Sequence, residues 1–176
     1  AEGGGTRLGA KMPVSADALD GWKQWVRGFV ARYKDTIDEW EVWNEPHLRG
    51  ANSAEAYGAL FIQTAEIIRD LQPDSTIIAM AMAGVRPDRA ELFLQYMAER
   101  DKLHLIDKIS YHPYTRNPDS NYDQVAKLRA MVNRFSARIT LFQGENGCPS
   151  EYRETKALSK YDWSQVTQAK WALRRL

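Results

Sequence analysis

Cysteine is almost absent from this 176-residue chain: Cys148 stands alone, so no disulfide can form within it. No apolar run approaches the ~20 residues that a membrane-crossing helix needs. A surplus of one charge sign is missing too. Lys and Arg number 24, Asp and Glu 23, and the net charge of +1 gives nucleic acid no electrostatic footprint. His47, His104 and His112 do not fall at the spacing of a local metal site, and no cysteine pair accompanies them. There is no Gly-x-Ser-x-Gly nucleophile elbow. The glycines of "GGGTRLG" (3–9) mimic a phosphate loop but follow no strand, and residues 1–15 read as a loop leading into a helix. What remains is ordinary globular composition, 44% hydrophobic and 27% charged, which argues against disorder.

Periodicity then organises the chain. Leu19, Trp22, Val26, Phe29, Val30 and Tyr33 fall at helical spacing and predict a helix after Ser15, a suitable N-cap. Tyr57, Leu60, Phe61, Thr64, Ile68 and Leu71 predict a second over 52–73, with Asn52 and Glu55 as a capping box and Pro73 as the stop. A third is expected over 88–101, capped by Asp88 and Glu91, a fourth over 121–135, and a fifth beginning at Asp162 and Gln165. Between them lie four short segments, "WEVW" (40–43), "TIIAMAMA" (76–83), "IDKISY" (106–111) and "RITLFQ" (138–143). Three are nearly continuous apolar runs, as strands of a parallel sheet covered by helices on both faces should be; "IDKISY" is mixed. The alternation predicts an α/β fold with a parallel sheet, in one segment without an internal linker.

Ligands of parallel α/β proteins sit at the carboxyl ends of the strands. The first strand ends in Asn44-Glu45-Pro46, the second in Ala83-Gly84, the third in Tyr111-His112-Pro113-Tyr114 and the fourth in Gln143-Gly144-Glu145-Asn146. Two glutamates are thereby expected at one edge of the sheet. A carboxylic acid that protonates a departing oxygen, with a carboxylate that attacks or activates water, is what glycoside hydrolysis needs.

"WEVWNEP", "SYHPY" and "LFQGENG" at successive strand ends resemble the glycoside hydrolases of clan A, over the region from about Trp22 to the end. The resemblance implies part of a (β/α)8 TIM barrel, strands four to seven, with strands one to three and eight outside this chain. It implies a retaining mechanism with Glu45 as general acid/base and Glu145 as nucleophile. It also implies that Asn44 bonds the sugar 2-hydroxyl and that His112 and Tyr114 are the strand-six pair, one of which holds the nucleophile. Trp163, beyond the long loop after Cys148, is a candidate to stack on a sugar ring, as are Tyr152 and Tyr161. No metal or cofactor is expected. The expected partner is an oligosaccharide, a polysaccharide or a glycoside, with neither nucleic acid nor membrane.

Three other readings compete. The glutamates could bind sugar without catalysis, the sheet could be an open doubly wound one with a ligand at a switch point, or the domain could be purely structural.

Overall fold

The computed structural model describes residues 12–47 and 53–175. The glycine-rich stretch at 3–9 and the proposed cap Asn52 lie outside them. Five helices alternate with four strands: α1 (Ala16–Tyr33), β1 (Glu39–Glu41), α2 (Ala54–Leu71), β2 (Thr76–Ala83), α3 (Pro87–Ala98), β3 (Lys108–His112), α4 (Tyr122–Phe135), β4 (Thr140–Gln143) and α5 (Gln165–Arg175). All pairings are parallel and the strand order is β1-β2-β3-β4. The order never reverses, so these strands contain no switch point of the doubly wound kind.

The expectation that helices cover both faces is corrected here. With strands in sequential order, right-handed crossovers place the connecting helices α2, α3 and α4 on the same face. Accordingly α1 packs on α2, α2 on α3 and α3 on α4. β1 shows the consequence, since Trp40 is buried toward the helices while Glu39 and Glu41 are exposed on the opposite, inner face. There Glu39 pairs with Lys108 of β3 at 2.5 Å.

α2 is the most deeply buried helix. Tyr57, Leu60, Phe61, Ile67 and Ile68 all pack into the core, each burial stabilising by roughly 1.5–3 kcal/mol. Polar groups at its surface are matched. Thr64 Oγ1 accepts from Trp22 Nε1 of α1 at 2.9 Å and donates to Leu60 O.

The first helix starts as expected and the later ones differ in detail. Ser15 caps α1 through the Ala18 amide. α2 is capped by Ser53, whose hydroxyl accepts from the Ala56 amide. α3 starts one turn-position earlier, with Pro87 in its first turn after Arg86, so Asp88 sits inside the helix and does not cap it. The fixed φ of proline suits that place. At α5 the exchange is between Ser164 and Thr167, each amide bonded to the other's hydroxyl, and Asp162 lies outside it.

At the amino ends of the strands Asp107 gathers the sheet together. Its carboxylate accepts from Arg69 Nη2 at 2.5 Å, Arg138 Nη1 at 3.1 Å and the Ile77 amide at 2.8 Å. Arg138 also donates to the carbonyls of His104 and Ile106.

Candidate active site

After β1 formally ends, the chain keeps tracking β2. The Val42 amide donates to Ile78 O and the Glu45 amide to Ala81 O, both at 3.0 Å. Between them Trp43 (φ 65°) and Glu45 (φ 48°) are left-handed. Each such non-glycine residue costs about 1–3 kcal/mol and survives only where its surroundings over-determine it. Pro46 does not account for it, because the residue before a proline is pushed toward extended backbone, so the hold on Glu45 comes from its bond to Ala81 O.

β3 and β4 deliver the facing groups. His112 is fully buried, and its Nδ1 lies 3.1 Å from Glu45 Oε1 and 3.6 Å from Glu145 Oε2. The Tyr114 hydroxyl donates to Glu145 Oε2 at 3.1 Å. One oxygen of each glutamate and His112 Nδ1 all lie within 4.8 Å of one another. Residues 45 and 145, separated by one hundred positions, therefore share a site. Glu145 is the more open of the two, with 47% of its side chain exposed against 24% for Glu45.

The electrostatics are those of a crowded acidic pair. Burial, reinforced by the Glu145 charge, pushes the Tyr114 phenol above its ordinary range, so it persists as a donor. Glu45, His112 and Glu145 could also hold a divalent cation, each supplying one ligand atom. Local spacing in the sequence could not disclose that donor set, because its members come from three different strands.

A second shell of polar groups lies beneath. A Cβ placed on Gly144 would stand 2.3 Å from Ser110 Oγ, 3.0 Å from Glu41 Oε1 and 3.4 Å from His112 Nε2. Glycine is required there by close approach. Ser110 Oγ and His112 Nε2 are buried without a hydrogen-bond partner among the described residues. The sequence reading overlooked Ser110 and Gly144. Their signal was the two-residue period that puts Ser110 on the face of His112.

The remaining candidates are placed differently. Asn44 is exposed beside Glu45. Trp163 does not join the glutamates. Its Nε1 donates to Leu158 O, and its ring lines a separate cavity of about 400 Å³ with Arg116, Tyr161 and Trp171. The loops on either side of Glu145 and Tyr114 are tied to α5. Trp171 Nε1 donates to Thr115 O, Arg175 Nη2 to Pro113 O and Gln168 Nε2 to Cys148 O.

No protein-family model matches the chain. In sequence it is similar to an intracellular exo-α-(1→5)-L-arabinofuranosidase of Streptomyces lividans, 25% identical over 130 residues, which are 71% of this chain and 19% of that protein. In structure it is similar to a monomeric β-xylosidase from Caulobacter crescentus CB15 (TM-score 0.63, 22% identity, 76% of this chain and 32% of that one). It is likewise similar to a glucosidase from Croceicoccus marinus (TM-score 0.72, 16% identity, 94% of this chain and 37% of that one). The chain spans about a fifth of the curated relative and about a third of the solved chains. Its fold is that of a segment of glycoside hydrolase TIM barrels, four consecutive strand–helix units.

Proposed function

We propose that residues 1–176 belong to the catalytic barrel of a retaining glycoside hydrolase acting on β-O-glycosidic bonds. Glu45 is its general acid/base and Glu145 its nucleophile. The observation that carries this reading is the short gap: glutamate oxygens within 4.8 Å, bridged by His112 Nδ1. Retaining enzymes hold their carboxyl groups about 5–5.5 Å apart, whereas inverting ones leave about 6.5–9.5 Å for a water.

The division of labour follows from the donors. The Tyr114 hydroxyl donates to Glu145 Oε2, which fixes the orientation of that carboxyl and suits a nucleophile. His112 Nδ1 lies within hydrogen-bond reach of Glu45 Oε1, at 3.1 Å, and fixes where that carboxyl stands. In the first step Glu145 attacks the anomeric carbon, the glycosidic C–O bond breaks, and Glu45 gives its proton to the departing oxygen. Glu145 loses its charge on bonding to the sugar, and Glu45 is left as a carboxylate. In the second step Glu45 takes a proton from water, the water oxygen bonds to the anomeric carbon, and Glu145 departs. Asn44, exposed on the same turn, is available to the sugar 2-hydroxyl.

The substrate is a glycoside, an oligosaccharide or a polysaccharide. The names of the similar proteins make aryl β-xylosides, glucosides and α-L-arabinofuranosides the first panel to assay in the full chain, and the β-linked members are the ones this reading expects to be cleaved. NMR of the first product should show the anomer of the substrate. Inversion would overturn the mechanism. Glu45→Gln should lose most turnover on poor leaving groups, by about 10²–10⁴-fold. If it instead leaves sugar binding intact in a protein that never turns over, the chain is a carbohydrate binder.

A further inference from the structure

The amide of Glu45 hangs on the carbonyl of Ala81, and Ala81 lies in the irregular part of β2. Pairing with β3 slips between Ala79 and Met82, and both intervening residues are left-handed (Met80 φ 82°, Ala81 φ 37°). Two such residues in succession inside a strand, neither of them glycine, need an outside group to hold them. That group is Tyr57 of α2. Its hydroxyl accepts from the Met80 amide at 2.7 Å and donates to Val42 O at 3.0 Å. One buried oxygen therefore serves both β2, one residue before the carbonyl that anchors Glu45, and the chain leaving β1, three residues before Glu45 itself.

We propose that Tyr57 is a positioning residue for Glu45, acting through the main chain of the β2 bulge. The inference rests on the acid/base reading of Glu45. The hydroxyl has no contact with the carboxylates; what it controls is where the Ala81 carbonyl stands and hence where the Glu45 main chain turns. Proton donation to a departing oxygen is sensitive to such placement, since small displacements of a catalytic group are felt in the rate. The ring itself is held independently, 5.1 Å from the Phe93 ring and 6.0 Å from that of Phe61, so removing the hydroxyl alone leaves the packing in place. Burial also pushes the phenol above its ordinary range, which keeps it a donor at any working pH.

The test is Tyr57→Phe in the full chain, assayed as kcat/KM across aryl glycosides whose leaving groups range from phenol to dinitrophenol. Poor leaving groups need the proton from Glu45; activated ones do not. Tyr57→Phe removes both hydrogen bonds and should lower kcat/KM for phenyl glycosides by about tenfold through misplacement of Glu45, and leave dinitrophenyl glycosides within about twofold. Phe93→Leu, a core change against the same ring, should reduce stability without steepening the leaving-group dependence. Ala81→Gly keeps the hydroxyl but loosens the carbonyl, and should steepen the dependence in the same direction, which keeps the proposal open to test if Tyr57→Phe fails to fold. A flat dependence in the folded variants, with all substrates slowed alike or not at all, overturns it. Glu45→Gln runs alongside: if it too shows a flat dependence, the acid/base assignment has failed, and if only the Tyr57 and Ala81 variants are flat, the positioning role has.

Discussion

The two ends of the sheet treat charge in opposite ways. At the amino ends, Asp107 meets two guanidinium groups and a backbone amide, so its carboxylate is answered on every side. At the carboxyl ends two carboxylates crowd one imidazole, two left-handed residues flank the turn, and Ser110 Oγ and His112 Nε2 are buried without a partner. The first end is arranged to be stable. The second stores strain and unspent hydrogen-bonding capacity, which is where chemistry is expected in a barrel of this type. Substitutions should accordingly lower stability at one end and rate at the other.

The largest effect belongs to the amino end. Asp107→Ala removes the carboxylate that faces Arg69, whose side chain is only 24% exposed, and the acceptor of the Ile77 amide, and should destabilise the fold by about 3 kcal/mol in urea titration. Turnover per folded molecule should not change; if it falls as far as stability does, the division between the ends is wrong. Next comes Tyr114→Phe, which removes the donor to Glu145. The bond is solvent-exposed, so the urea midpoint should barely move, whereas loss of the contact that orients Glu145 should lower kcat/KM by about tenfold.

Gly144→Ala should sharpen the contrast by affecting both properties. Its methyl meets Ser110 Oγ, and overpacking of that kind costs about 1–3 kcal/mol. Adding Ser110→Ala should recover part of the loss, and strict additivity in the double variant would refute the clash.

The smallest effect is an acid one. Burial, its largest cause, holds the His47 imidazole below its ordinary value of 6.5. The folded state therefore binds that proton less readily than the unfolded chain. The stability this group supports is complete above 6.5 and is lost as pH falls through the lower, folded value. His47→Gln should flatten that slope in denaturation curves taken at pH 7.5 and below, and an unchanged slope would assign it to other groups.

Much of this was readable before any coordinates. "TIIAMAMA" matches β2 to the residue because a strand buried throughout is an unbroken apolar run. The placement of Glu45 and Glu145 at strand ends followed from counting strand–helix units. The missed features are those in which one residue does two jobs. Asp107 made "IDKISY" look mixed; the strand begins after it, at Lys108, and the aspartate serves the clamp. Tyr57 reads as plain helical core, and its ring is that, but its hydroxyl works on two strands. The β2 bulge leaves no mark at all, since neither Met80 nor Ala81 is a residue that favours positive φ. Trp163 suited a sugar platform by composition; its indole donates to Leu158 O and its ring lines the cavity shared with Tyr161 and Trp171.

The attachments of α5 carry a mechanical consequence. One helix grips the backbone on the far side of Tyr114, through Thr115 and Pro113, and the loop beyond Glu145, through Cys148. Like a splint laid across two fingers, it obliges them to travel together. Any breathing of that rim would carry the phenol and its carboxylate as one piece, so their mutual contact should outlast motions that open the site.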